Sequence, residues 1–344
     1  MSHSHEERYS RQIRFAPIGT IGQERLADAS VAVIGCGALG SAIAEQLTRA
    51  GVGELHLVDR DYVEWSNLQR QQLFTESDAE QMKPKVEAAR TRLLDIRSDL
   101  KLHTYFDDLD IPLIRRLAAE CSLIMDATDN FETRLLIGDA ALEAGIPWIY
   151  GACVGGSGTV FPFVPGRSAC FRCLIPVLPA ANGTCDTAGI IAPAVQMTAA
   201  MQCAEALKWL SGNPDSLRIK VHHFDLWTGT QMDTGISRIR RADCPSCGPD
   251  ASFPALAHAA ARPAYAALCG RDTVQVLPDP ARPLTLDDAE RVGLRVGSDL
   301  RRTPHFVQFH AMGARFILFG TGRLLIHGTG SVDEGRRLHR KVFG

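Results

Sequence analysis

Val31-Ala-Val-Ile-Gly35-Cys-Gly37-Ala-Leu-Gly40, followed by a helical stretch and Leu55-His-Leu-Val-Asp59, is the segment whose reading decides the fold. An apolar run of strand length feeds a glycine-rich turn, and a second apolar run ends on an acid about twenty residues later. Such a turn brings backbone N–H groups and a helix N-terminus up to a phosphate, while the acid at the next strand tip accepts ribose hydroxyls. Gly35, Gly37 and Gly40 are therefore the candidate phosphate turn, and Asp59 the candidate ribose ligand. Taken alone, the pattern belongs most often to nicotinamide or flavin sites. The polar string that follows, Trp65-Ser-Asn67-Leu-Gln-Arg70-Gln71, argues for other chemistry.

Outward from this segment, Leu102–Tyr105, Leu123–Asp126 and Trp148–Gly151 read as further short strands alternating with helical patterns. That alternation predicts an α/β fold, a Rossmann-like, mostly parallel sheet with helices on both faces. Ligands of such sheets bind at the C-terminal ends of the strands, where Gly35, Asp59 and the acidic end of Leu123–Asp126 would meet. Phe161–Pro165 reads as irregular. Ala192–Leu210 reads as a long buried helix with Pro193 in its first turn, and residues 221–240 as strands.

The 344 residues exceed what one core usually organises, so two domains are expected, 1–250 and 251–344. The second is predicted as a small α+β domain, with strands at Thr273–Leu277, Phe306–His310, Arg315–Phe319 and Arg323–His327 and helices near Leu284–Val292 and at the end. Its 13 Lys and Arg against 8 Asp and Glu make it net positive, whereas the preceding body is net negative. The arginine excess suits steering of an acidic protein substrate, and equally an ordinary solvated face. A composition of 45% hydrophobic and 22% charged residues is that of a globular protein. No apolar run of membrane-spanning length and no apolar signal core occurs, so a cytoplasmic protein without membrane or nucleic-acid partners is expected.

Three groups carry the chemistry. Cys170-Phe-Arg-Cys173 and Cys244-Pro-Ser-Cys247 are two C-x-x-C pairs, each able to supply half of a tetrahedral thiolate site for Zn²⁺; unrelated core or redox cysteines are the plainer alternative. With all four positions filled such a zinc would be structural. Arg11, Arg70 and Lys85 are cations of the kind that nucleotidyl chemistry needs to neutralise phosphate oxygens, although each alone reads as a surface charge. Asp126-Ala-Thr-Asp129-Asn130 places two carboxylates where they can hold Mg²⁺, with helix capping as the bland role for Asn130.

In this order the motifs resemble those of the ThiF/MoeB/HesA superfamily, the ubiquitin-activating-like adenylyltransferases, over about residues 6–248. The resemblance rests on Arg8-Tyr-Ser-Arg11-Gln, the glycine turn, Asp59 through Gln71, Lys85, Asp126 to Asn130, Thr184-Cys185 and both C-x-x-C pairs. It implies ATP as substrate, with Asp59 on the ribose, Asn67, Arg70 and Lys85 on the phosphates and Asp129 organising Mg²⁺. It also implies a homodimer in which Arg11 reaches into the neighbouring subunit's site. The implied partners are a ubiquitin-like sulfur carrier protein ending in Gly-Gly and a sulfur donor, a desulfurase or a rhodanese.

Cys185 stands in the polar loop Asn182-Gly-Thr-Cys185-Asp-Thr-Ala-Gly189 before the buried helix, where the helix dipole would favour its thiolate as nucleophile or persulfide carrier. A small packing residue is the alternative. Cys36, Cys121, Cys153, Cys203 and Cys269 fall in apolar or helical runs and read as core. The expected reaction is carboxylate activation by ATP, leading to a thiocarboxylate for thiamin or molybdopterin synthesis. Three rivals stand beside it: adenylylation of a peptide or tRNA base, a nicotinamide oxidoreductase, and a non-catalytic binding subunit.

Overall fold

A computed structural model describes residues 3–175, 188–236, 239–257, 264–267, 272–279 and 281–344. Its contacts divide the chain into two compact units, Met1–His258 and Ala259–Gly344. The helix at Pro254–Ala257 packs on the helix Phe131–Ala144, and Ala255 N–H donates to Asp139 Oδ2 at 2.9 Å, which ties this stretch to the first unit.

The first unit begins with α1 (His3–Ile13) and α2 (Gly19–Asp28), then β1 (Ser30–Ile34), α3 (Ala38–Ala50), β2 (Glu54–Val58), α4 (Glu76–Glu80), α5 (Lys85–Ile96), β3 (Lys101–Tyr105), α6 (Ile111–Glu120), β4 (Leu123–Asp126) and α7 (Phe131–Ala144). It continues with β5 (Trp148–Val154), β6 (Ser157–Phe163), α8 (Phe171–Leu174), α9 (Ala192–Leu210), β7 (Val221–Asp225), β8 (Thr230–Thr234) and α10 (Pro254–Ala257). The strands form one sheet in the order β3-β2-β1-β4-β5-β6-β7-β8. Pairs from β3 to β5 are parallel, and those from β5 to β8 antiparallel. β1 and β4 are near-continuous buried apolar runs because helices cover both faces of the parallel half. α3, α5 and α9 lie over one core, α6 and α7 over the other.

β1 pairs with β2 on one side and β4 on the other, so the chain reverses its winding there. That switch point opens a crevice at the strands' C-terminal ends. Asn130 caps α7 by accepting Thr133 N–H, as its bland reading expects.

Phe161–Phe163 is strand, which corrects the irregular reading of Phe161–Pro165. The misleading residue is Pro162, which lacks an N–H for the ladder. β7 pairs only with residues 157–160 of β6, so Pro162 falls where the strand has a single neighbour, β5. Gly155-Gly156 forms the two-residue β5–β6 hairpin, a turn signal present in the sequence. Among the described residues of 221–240, strand is confined to Val221–Asp225 and Thr230–Thr234.

The second unit holds β9 (Tyr265–Ala267), β10 (Thr273–Val276), α11 (Leu286–Val296), β11 (Ser298–Arg302), β12 (Phe306–Ala311), β13 (Ala314–Phe319), β14 (Leu324–His327) and α12 (Val332–Phe343). Its antiparallel sheet runs β11-β12-β13-β14-β10-β9. Phe309, Phe316, Leu318 and Ile326 face Ala289 of α11 and Leu338 and Val342 of α12 in its core. β9 and β11 were not legible in advance; β11 is mostly exposed and polar and β9 only three residues long. No described helix is long and apolar enough to cross a membrane.

Candidate functional site

The glycine turn is shaped by its own backbone. Gly35 has φ +93°, and a Cβ there would stand 2.6 Å from the Ala127 carbonyl oxygen; a Cβ on Gly40 would stand 1.9 Å from that of Gly35. Only residues without side chains let the turn fold under α3 and touch the loop after β4. Gly37, at the α3 N-cap, carries no such crowding: Gln71 Nε2 at 3.8 Å is all its Cβ would meet. The free N–H groups of the α3 N-terminus thus face the crevice.

Asp59, just past β2, binds that turn. Its Oδ2 accepts Cys36 N–H at 2.6 Å and its Oδ1 accepts Asp61 N–H at 2.7 Å, which leaves lone pairs on both oxygens. Burial pushes the Asp59 carboxyl up, and the Lys85 ammonium pulls it back. Lys85, the first residue of α5, is buried, with Nζ 3.5 Å from Asp61 Oδ2. Cys36 is wholly buried, and burial followed by the Asp59 charge drives its thiol far up. It stays protonated in the turn and is no nucleophile.

The string after Asp59 folds into a tight turn. Asn67 Oδ1 accepts Glu64 N–H at 3.0 Å, and its carbonyl accepts the N–H groups of Arg70 and Gln71. Asn67 is buried, and Arg70 is half-exposed with Nη1 donating to Ser66 O at 2.8 Å. Gln71, which sequence reasoning passed over, is buried against Gly37, and its Oε1 has no hydrogen-bond donor among the described residues.

The two acids at and after the end of β4, Asp126 and Asp129, part company, which corrects their reading as a joint Mg²⁺ site. Asp126 is fully buried: Oδ1 accepts Thr128 N–H and Oγ–H at 2.8 and 2.7 Å, and Oδ2 accepts Arg134 Nε–H at 3.2 Å. Burial pushes this carboxyl up, against the pull of Arg134 and Thr128. A carboxylate so engaged fastens the loop. Asp129 is exposed, and its carboxylate takes no hydrogen bond from any described residue, so it alone of the pair is available to a cation.

Two buried residues that fasten this loop were missed from sequence. Arg134 also donates through Nη2 to Thr128 O at 2.6 Å and Gly151 O at 3.3 Å, and lies 4.9 Å over the Tyr150 ring. In sequence it is one more helical arginine. Gln202 of α9 donates to Asp126 O at 2.8 Å and Ile149 O at 3.2 Å, tying β4 to β5. An amide in the middle of the apolar run Ala192–Leu210, one of two there with Gln196, was the available signal.

Arg11 is elsewhere. Its neighbour Gln12 donates to Ala50 O at 2.8 Å, and Tyr9 packs where a Gly51 Cβ would be. α1 therefore sits at the C-terminal end of α3, about 20 Å along that helix from the glycine turn. Exposed Arg11 does not reach its own chain's crevice. Cys185, and likewise Cys269, lie outside the described residues.

The four cysteines of the C-x-x-C pairs come together, their sulfurs all within 4.8 Å of one another. Cys170 and Cys244 Sγ are 3.6 Å apart, Cys173 and Cys247 Sγ 3.7 Å. A tetrahedron with metal–sulfur bonds of about 2.3 Å has edges of about 3.8 Å, so the set fits a four-thiolate metal centre. Cys173 Sγ also accepts Arg241 N–H at 3.5 Å, and Arg172 Nε–H donates to Ser246 Oγ at 2.8 Å, joining the two halves outside the sulfurs. Cys121 and Cys203 are buried core residues and Cys153 is half-buried.

The profile of the ThiF family matches residues 9–246, which carry all of these elements except Cys247, the next residue. The chain belongs to the ThiF family. Among its relatives, the sulfur carrier protein ThiS adenylyltransferase of Bacillus subtilis is 43% identical over 337 residues, covering 98% of this chain and 99% of that protein. The Escherichia coli proteins named sulfur carrier protein ThiS adenylyltransferase and molybdopterin-synthase adenylyltransferase are each 36% identical over 243 residues. Those two alignments cover 70% of this chain and 94% and 96% of the relatives. Among solved structures, Escherichia coli MccB with ATP superposes with a TM-score of 0.60 at 25% identity, over 70% of this chain and 74% of that one. This likeness supports the family's fold for the first unit.

Proposed function

We propose that this ThiF-family protein is an adenylyltransferase that activates the C-terminal Gly-Gly carboxylate of a ubiquitin-like sulfur carrier protein. The carboxylate oxygen attacks the α-phosphorus of ATP, the bond from that phosphorus to the bridging oxygen breaks, and pyrophosphate leaves. An acyl-adenylate remains. The observation that carries this reading is the crevice itself, with the glycine turn, Asp59 and Lys85 at one side of the switch point and a carboxylate without hydrogen-bond partners among the described residues, Asp129, at the other.

Asp59 takes the ribose, the α3 N-terminus, Asn67, Arg70 and Lys85 take the phosphates, and Asp129 is the residue to hold Mg²⁺, which when bound neutralises phosphate charge. The exposure of Arg11 at the far end of α3 supports a homodimer in which it serves the partner's crevice. The four thiolates hold a structural Zn²⁺, since no ligand position stays open. Cys185, charged as a persulfide by a desulfurase or rhodanese donor, attacks the acyl carbon through its outer sulfur and AMP leaves; a second thiol then reduces the resulting acyl disulfide and releases the thiocarboxylate, in a cytoplasmic setting. Thiamin synthesis is preferred over molybdopterin synthesis, because the relative spanning both units bears the ThiS name.

ATP–pyrophosphate exchange with purified carrier proteins tests the reading, each carrier taken with and without its final glycine. Exchange that depends on that glycine and is lost in Asp129→Asn and Lys85→Ala is expected. Exchange indifferent to the truncation, or absent with every carrier, refutes the substrate.

A further inference from the structure

Besides the four-cysteine group, one set of metal-ligating side chains converges among the described residues: Glu54, His56 and His103. Glu54 and His56 are two residues apart on β2 and share a face of the sheet; His103, on the edge strand β3, is in register with His56. Glu54 Oε1 stands 2.9 Å from His103 Nε2 and 3.3 Å from His56 Nε2. The ligand atoms of all three lie within 4.8 Å of one another, and the imidazoles stack with centroids 4.6 Å apart.

A carboxylate between two imidazoles is, at its simplest, a surface hydrogen-bond pair, and the contact to His103 alone would be that. His56 goes further. It is 3% exposed, and its buried Nε2 makes no hydrogen bond. Its Nδ1 is 3.0 Å from Tyr105 Oη, the kind of outer contact that fixes the tautomer of a metal-ligating histidine. In the tautomer with Nδ1–H donating to Tyr105, Nε2 presents a lone pair beside the Glu54 carboxylate, and a cation between them takes the place of the proton that Nε2–H would offer Glu54 in the other tautomer. Adjacent ligand atoms around an ion with bonds of about 2.1 Å are about 3.0 to 3.4 Å apart, close to both observed spacings.

The surrounding charge suits a cation. The carboxylates of Glu54 and Glu120, the latter at the end of α6, both act on His56. Two positive groups adjoin the cluster without joining it: Arg116 lies over the Tyr105 ring at 5.3 Å, and Lys101 is the register partner of Glu54.

We propose that Glu54, His56 and His103 bind one divalent transition-metal ion of the zinc, cobalt or nickel class, with the remaining coordination positions open to water. Two imidazoles and one carboxylate suit these ions better than Mg²⁺ or Ca²⁺. The site lies toward the N-terminal ends of β2 and β3, whereas Asp59 and the crevice follow their C-terminal ends. Its ion therefore clips the edge strand to its neighbour and takes no part in the phosphate chemistry.

The test is equilibrium dialysis of the full chain, purified with its four-cysteine metal, against Co²⁺, in a His3→Ala/His5→Ala background so that those two imidazoles do not contribute. One additional equivalent per chain is expected, accompanied by a rise in thermal midpoint. In His103→Ala, whose side chain is half-exposed and whose loss spares the core, and in Glu54→Gln, half-saturation should need at least about tenfold more Co²⁺ and the thermal rise should vanish. Equal occupancy in the parent and either variant, or no additional equivalent below about 1 mM free Co²⁺, overturns the proposal.

Discussion

Replacing Arg134 by Met keeps much of the side-chain volume and removes the cation in contact with buried Asp126. Asp126 Oδ2 loses its donor, and the carbonyls of Thr128 and Gly151 lose theirs. Deleting one member of a buried ion pair costs about 3 to 5 kcal/mol, because the other is left uncompensated. At a urea m-value of about 3 kcal/mol per molar, the midpoint falls by about 1 to 1.7 M. All four tryptophans, Trp65, Trp148, Trp209 and Trp227, belong to the first unit, so intrinsic fluorescence follows its unfolding without signal from the second. The deficit should also depend on pH. Burial already pushes the Asp126 carboxyl up, and losing Arg134 removes the chief opposing influence. A carboxyl with a native pKa above its unfolded value binds its proton more tightly when folded. The variant therefore recovers stability as pH falls through the raised pKa and loses it as pH rises. The midpoint deficit should be smaller at about pH 5.5 than at about pH 8. A shift below about 0.3 M, which is under about 1 kcal/mol, would refute the assignment of Arg134 as the loop's fastening. So would a deficit that grows on acidification.

Gly40→Ala should abolish ATP protection of the crevice against proteolysis, since its Cβ would stand 1.9 Å from Gly35 O; wild-type protection would show that the turn can relax. Arg11→Ala and Lys85→Ala should each be inactive in exchange, yet regain about a quarter of wild-type activity when mixed, because half the dimers then pair one intact crevice with one intact Arg11. No recovery on mixing would remove the shared site. Cys173→Ser should lose the metal equivalent held by the four thiolates and lower the thermal midpoint strongly; elemental analysis showing full metal content would count against a zinc centre.

The parallel half of the sheet was legible because buried parallel strands leave unbroken apolar runs, and glycines betray turns that no side chain could occupy. Both C-x-x-C pairs could be recognised from spacing, since two thiolates three residues apart can share one ion. Other features had no local signature. Pro162 argued against a strand that survives because β7 stops short of it. Arg134 looked like any helical cation until the fold placed it under the loop of Asp126.

By itself, then, the sequence determined the nucleotide-type crevice, its family and the residue types that line it, because period, glycine and charge are properties of neighbours along the chain. The tertiary structure decided how the members of each group divide their roles. Asp126 fastens while Asp129 stays available, and Gly37 faces outward while Gly35 and Gly40 hold the turn. It also set Arg11 at the wrong end of α3 for its own site. Those outcomes depend on packing between segments far apart in sequence, where burial decides whether a charge is engaged or exposed.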